Sequence, residues 1–173
     1  ERVRDPSGFY LPNPPRDALS FNTDSGKANF RVHPISVISP EHDQFVMMTI
    51  RSHDQYNTTI YGLDDRYRGI KQARRIVLMC KEDINSLGIN SGTMVDLTSH
   101  FEGDTLTAPK WRVVEYDIPS GNIATYFPEA NCLIPLNSVA EGSNTPTSKS
   151  VCVTVQPSSQ NMRFWNSKAT QAA

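Results

Sequence analysis

No apolar run in this chain approaches the roughly 18 residues that a membrane-spanning helix needs, so no span of that kind is encoded. No secretory leader is recognisable either. The chain opens with the charged stretch Glu1-Arg2-Val3-Arg4-Asp5. No Met stands at the start, which reads as a fragment or a processed chain. Neither sign of charge is in excess: 17 basic and 18 acidic side chains give a net charge of -1. That balance offers no field for a nucleic acid and no acidic tail. Cysteine is scarce, and Cys80, Cys132 and Cys152 form no Cys-x-x-Cys, so an iron–sulfur or zinc site has no support. Each sits beside apolar residues, and the expectation is three buried free thiols in a reducing, cytoplasmic compartment. The histidines His33, His42, His53 and His100 are scattered without ligand spacing, so no bound metal is expected. Apolar residues make up only 38% of the chain while prolines number 12, a balance that implies short elements joined by long connections.

The 173 residues fit one domain of ordinary size. Residues 1–34, with four prolines from Pro6 to Pro15, read as an irregular arm, within which Ala28–Val32 alternates as a short strand would. Phe45–Ile50 is a continuous apolar run too short for a helix and reads as a buried strand, as does Arg74–Cys80. Lys81–Ile89 has acidic residues at its start and Gly88 near its end, the signature of one short helix. Met94–Ser99, Trp111–Ile118, Ile123–Phe127 and Ser150–Val155 alternate as strands, and Pro128 stops the third of these. From Ser158 the chain reads as a polar tail in which Phe164-Trp165 is the one aromatic pair. Six to seven strands with one or two short helices, unevenly spaced, fit a closed β-barrel with excursions over residues 35–157 better than a sandwich.

Polar chemistry concentrates where Phe45–Ile50 ends. Thr49, Arg51, Ser52, His53, Asp54, Gln55, Tyr56, Asn57 and Thr58 offer nearly every kind of hydrogen-bonding group, and Arg51 brings a planar fork suited to phosphate. The same stretch also fits a solvated loop. His53 beside Asp54 suggests a base with its orienting carboxylate. However, neighbours on an extended segment point to opposite faces, and no nucleophile accompanies them. Asp64–Lys71 with Arg74-Arg75 is a charge cluster that reads as a solvated loop with internal ion pairs or as a phosphate site. Tyr126-Phe127 is an aromatic pair broken by Pro128, after which Glu129 and Asn131 follow closely. This order suits polar groups held against a planar ligand. Asn131 can pair with the edge of a base or pterin, and Lys149, just before the last strand, can neutralise a phosphate.

Taken together, these blocks resemble a known family. Phe21–Phe30 with its Ser25-Gly26-Lys27-Ala28, Thr49–Thr58, Glu82–Val95, Tyr126–Leu133 and Thr145-Pro146-x-x-Lys149 resemble, in order, the last domain of molybdopterin oxidoreductases. Thr93 stands where that family more often has an acidic residue. The phrase Arg51-Ser52-x-Asp54-Gln55-Tyr56-Asn57-Thr58-Thr59-Ile60-Tyr61-Gly62 is most similar to the bacterial formate-dehydrogenase-like alpha-subunit oxidoreductases. The resemblance covers about residues 20–156. It implies a double-psi β-barrel that binds molybdopterin guanine dinucleotide, two of which surround molybdenum or tungsten in the complete enzyme. It also implies that the metal ligand lies upstream in the same polypeptide and that an electron-transfer subunit is a possible partner. The cofactor contacts it implies are the loop Thr49–Thr58 with Phe127, Asn131 and Lys149. The alternative is a stand-alone double-psi barrel subunit that binds a partner or a nucleotide cofactor within an enzyme complex. A small decarboxylase-type barrel would need a self-processing serine after glycine, and Gly142-Ser143 is the nearest candidate.

Overall fold

A computed structural model describes residues 2–35, 37–56 and 61–159. The chain divides into two units, Glu1–Val37 and Ile38–Ala173. In the first, a 3-10 turn covers Arg2–Arg4 and one short helix, α1, covers Pro14–Ala18. The Asn13 side chain caps α1 by accepting from the Arg16 N–H, and proline fills the first helical positions, where its missing N–H costs nothing. The proline-rich arm therefore holds a helix that its composition hid. Ala28–Val32 forms no strand. It pairs with no described neighbour, and Phe30 and Val32 are exposed. Alternation alone does not make a strand without a partner for its backbone groups.

The second unit is a closed six-stranded barrel: β1 Phe45–Ile50, β2 Ile76–Met79, β3 Met94–Phe101, β4 Asp104–Glu115, β5 Asn122–Tyr126 and β6 Val151–Pro157. The order around the barrel is β1-β5-β2-β4-β3-β6. Two pairs are parallel, β1 with β5 and β2 with β4, and the other four are antiparallel. Exchanging β1–β3 for β4–β6 leaves that pairing pattern unchanged. A two-fold relation thus links the two halves, although no repeat shows in the residues. This is a mainly β, double-psi β-barrel fold with two short helices.

Two apolar clusters explain the strand patterns. Met47, Val77, Met79, Val95, Leu97, Trp111, Val113, Ile123 and Val153 pack together as the main core. Ile76, Leu78, Ala124 and Tyr126 form a second cluster, covered by Ile70 from the long β1–β2 connection. The strand β2 is buried at all four positions because both its faces are covered. In contrast β1 alternates, with Met48 44% exposed, so the unbroken apolar run is only half buried. β4 begins earlier than its apolar alternation, because Thr105–Ala108 pair with β3. Glu102 and Gly103 join β3 to β4 with positive φ at both residues, the twist that a two-residue hairpin needs.

Helix α2, Lys81–Ser86, follows β2. Its Asp83 is buried and accepts from Ser120 Oγ at 2.6 Å and from the Gly121 N–H at 2.8 Å, which closes the β4–β5 turn. After β5 the Phe127–Pro128 peptide is cis, and a 3-10 helix covers Glu129–Leu133. Ala130 and Leu133 face inward there and Cys132 faces out. The three thiols therefore differ: Cys80 is buried, Cys152 is intermediate and Cys132 is exposed, against the expectation for all three. The barrel's last backbone bond runs from the Ser158 N–H to the Met94 carbonyl, and Ser158 is buried. The aromatic pair at Phe164-Trp165 lies outside the described residues, as do Asn57 and Thr58.

Candidate functional site

The end of β1, the start of its long connection, the end of β5 and the residues before β6 meet at one mouth of the barrel. They enclose a cavity of about 490 Å³ lined in part by Thr49, Arg51, Arg68, Phe127, Ser148 and Lys149. Strand pairing causes this convergence. β1 runs parallel to β5 and antiparallel to β6, so the exits of β1 and β5 and the approach to β6 fall on the same side. Among the described residues, three cations line the cavity and no carboxylate does.

The three cations are held differently. Lys149 Nζ donates to the Thr49 carbonyl and lies 3.4 Å from Thr49 Oγ1, so it ties β6 to β1 as well as carrying charge. Desolvation, and then the neighbouring Arg51 charge, lower its pKa. Arg51 is exposed. Arg68 is pinned by Asp65: its Nη1 lies 2.6 Å from Asp65 Oδ2 and also donates to the Arg51 carbonyl at 3.2 Å. Asp65 is 1% exposed and further accepts from the Tyr126 hydroxyl at 2.8 Å and from the backbone N–H groups of Tyr67 and Arg68. Burial pushes the Asp65 carboxyl up, but those donors outweigh it and hold it below the ordinary aspartate range.

Behind the mouth lies a second polar centre. Arg74 is 7% exposed. It forks onto Glu129, with Nε at 3.0 Å from Oε1 and Nη2 at 3.2 Å from Oε2. Nη2 also donates to Gln55 Oε1 at 3.0 Å and to the Phe127 carbonyl at 2.8 Å. The guanidinium sits 3.9 Å from the Tyr61 ring centre and 4.4 Å from that of Tyr126. Tyr61 completes the group by donating to Glu129 Oε1 at 2.8 Å. Burial raises the Glu129 carboxyl, and the Arg74 and Tyr61 bonds overcome this and lower it. One arginine thus fixes the β1–β2 connection against the turn that carries Phe127.

A second cavity of about 410 Å³ adjoins the first and shares Phe127 and Ser148 with it. Its walls are mostly apolar, with Ile134, Pro135, Leu136 and Pro146, and the Asn131 amide is among its polar groups. Together they make a groove that is cationic at one end and apolar with a paired donor and acceptor at the other.

Of the residues singled out from sequence, the structure brings Thr49, Arg51, Phe127 and Lys149 to the first cavity, and Asn131 with Phe127 to the second. Ser52 and Gln55 are buried and bonded to one another, and Gln55 faces the Arg74 centre. His53, Asp54 and Tyr56 are exposed and line neither cavity. His53 stacks on Tyr67 while Asp54 approaches Arg66 at 3.7 Å, so the two do not form a dyad. Among the described residues no three His, Cys, Asp or Glu side chains converge as a metal-ligand set. Arg68 and Arg74 belong to the charge cluster that reads as a solvated loop with internal ion pairs or as a phosphate site; one lines the mouth and the other is buried behind it. The Arg74 partners Phe127 and Glu129 lie more than 50 positions away, where no local spacing signals them, whereas Arg68 pairs with Asp65 three positions away, an ion pair internal to the cluster.

The family model of the "Molydopterin dinucleotide binding domain" matches residues 45–161. A protein of Mycobacterium tuberculosis named an uncharacterized oxidoreductase is 48% identical over 161 residues, covering 90% of this chain and 21% of the relative. Protein YdeP of Escherichia coli is 37% identical over 164 residues, covering 91% of this chain and 22% of its own. The chain thus spans about a fifth of the length of these curated relatives. Among solved structures, acetylene hydratase from Pelobacter acetylenicus is 11% identical with a TM-score of 0.43, over 65% of this chain and 18% of that one. The rationally designed mkDPBB_sym_86 protein is 18% identical with a TM-score of 0.37, over 69% of this chain and 99% of the design. On the match over residues 45–161, the chain belongs to the molybdopterin dinucleotide binding domain family.

Proposed function

We propose that the groove binds molybdopterin guanine dinucleotide within a larger, formate-dehydrogenase-like oxidoreductase whose metal ligand lies in another part of the polypeptide. The observation that carries this reading is the pairing of three cations around a cavity of about 490 Å³ with an adjoining apolar cavity that holds an amide. The donor set fits the cofactor. Arg51 and Lys149 would hold the phosphates, Phe127 would pack against a ring system, and the Asn131 amide would give a heterocycle edge both a donor and an acceptor. When bound, the pterin group with molybdenum or tungsten supplies the redox chemistry, while this domain supplies binding and electrostatics. A cytoplasmic location and an electron-transfer partner belong to the same proposal.

The test is Arg51→Ala and Lys149→Ala in the complete protein, with pterin content and melting read separately. Removing either charge-assisted contact is expected to weaken cofactor retention by about 1.5–3 kcal/mol, or roughly 10- to 150-fold. Full pterin content with early unfolding would make both residues structural and overturn the reading. The 173-residue chain alone is expected to show no turnover with formate and a viologen dye. Turnover there would place the reaction within this domain.

A further inference from the structure

We propose that Arg68 is an anion-binding residue of this mouth, a fixed fork that receives the bridging diphosphate of a dinucleotide, and that Asp65 is its positioning residue. This deepens the cofactor reading above and rests on it.

The inference starts from how the three cations differ. Lys149 donates to the Thr49 carbonyl, with the Thr49 hydroxyl 3.4 Å away. Arg51 is exposed. Arg68 is tied to the barrel wall through a buried carboxylate. Tyr126, fully buried on β5, holds Asp65, and Asp65 holds Arg68 Nη1. The Arg68 side chain is 25% exposed against 1% for Asp65, so the pair straddles the boundary between core and mouth. The two bonds to Asp65 and to the Arg51 carbonyl use one nitrogen only. The Tyr126 hydroxyl also lies close to the guanidinium, and Arg68 lines the cavity. A guanidinium held at one corner keeps its remaining donors in one plane at little further entropy cost.

Charge selects the ligand class. Asp65 offsets one of the three cations and leaves two in excess. A diphosphate that bridges two nucleoside-like groups carries one negative charge on each phosphorus at neutral pH. The cavity is also large for a single phosphate group, at about 490 Å³.

The alternative is that Arg68 merely anchors its own loop. Asp65→Asn separates the two, because they predict opposite signs. The change removes a negative charge next to the mouth, so unstructured electrostatics predict tighter anion binding, whereas loss of positioning predicts weaker binding.

The experiment titrates the full chain with inorganic pyrophosphate and with inorganic phosphate by calorimetry at low ionic strength, and records melting beside it. Wild type is expected to prefer pyrophosphate. Arg68→Lys, which keeps the charge and loses the fork, is expected to weaken pyrophosphate binding about tenfold with melting nearly unchanged. Asp65→Asn is expected to weaken it as well. If Asp65→Asn fails to fold, Tyr126→Phe, which removes only the hydroxyl that holds Asp65, is expected to weaken it in the same direction. Wild-type affinity in Arg68→Lys, or tighter binding in Asp65→Asn, overturns the proposal. If Arg51→Ala and Lys149→Ala weaken binding while the Arg68 and Asp65 variants do not, this inference falls and the cofactor reading stands. If wild type binds no pyrophosphate, both fall.

Discussion

The barrel has two mouths built from equivalent strand ends, and they carry opposite charge. Exchange of β1–β3 with β4–β6 carries the exits of β1 and β5 onto the exits of β4 and β2. The first pair of exits opens on Arg51, Arg68 and Lys149. The second opens on a cavity of about 400 Å³ lined by Glu82, Glu115 and Asp117, with Lys81 the only cation there among the described residues. The connections differ in step with the charges. Residues 51–75 join β1 to β2 and bring Asp65, Arg68 and Arg74, whereas residues 116–121 join β4 to β5 and are closed by Asp83. The fold offers two equivalent places for a ligand, and loop length and side-chain charge decide which one suits an anion. Architecture alone therefore says little about where this domain binds.

The comparison breaks most severely at Arg74, which has no counterpart at the acidic mouth. Arg74→Ala leaves the half-buried Glu129 without its ion-pair partner and empties a buried site, and is expected to cost about 3 kcal/mol in urea unfolding. A loss below about 1 kcal/mol would show that the centre behind the mouth relaxes freely. The second mouth has its own lock. Asp83→Ala strands the Gly121 N–H and Ser120 hydroxyl and is expected to cost about 2–3 kcal/mol while pyrophosphate binding at the first mouth persists. Loss of binding in that variant would mean that the mouths are coupled.

Acid sharpens the contrast further. Asp65 and Glu129 both sit below their ordinary carboxylate range when folded. Their stabilising contribution is complete above the unfolded values and is lost as pH falls through the folded ones. The stability curve is therefore expected to fall on the acid side, and Glu129→Gln is expected to flatten that fall. An unchanged acid slope in this variant would remove Glu129 from the account. The smallest effect is expected at the acidic mouth. Asp117→Asn should change pyrophosphate affinity by less than about twofold, since an exposed charge at a distance is screened. A larger gain would show that the acidic mouth repels anions from the whole barrel end.

Much of the barrel was legible in the sequence because β-strands announce themselves locally. The apolar runs at Phe45–Ile50 and Ile76–Met79 and the alternation at Val151–Val155 each mark a strand without reference to the rest of the chain. The early part of β4 was not, because its polar residues become a strand only by pairing with β3. Helix α1 was hidden by reading prolines as breakers when two of them occupy its first positions. The meeting of Arg51 and Lys149 followed from one strand's exit and another's approach. The Asp65–Arg68 ion pair was legible within the charged run, but the burial of Arg74 was not, because a charged side chain looks the same in the sequence whether it is solvated or buried. Only the return of Tyr126 and Glu129 from the other half of the chain tells the two apart.

The exchange of halves has a consequence for how this chain folds. Around the barrel the strands alternate between the two halves without exception, and every neighbouring pair joins one strand from each. Neither half contains a single strand pair of its own, so neither can be a stable intermediate held together by β-pairing. Apart from the β3–β4 hairpin, each ladder must close a long loop before it gains a bond, which places the domain among slow-folding topologies. Cut between Phe101 and Asp104, the chain would yield two pieces that each lack structure and that regain it only by interleaving with the other.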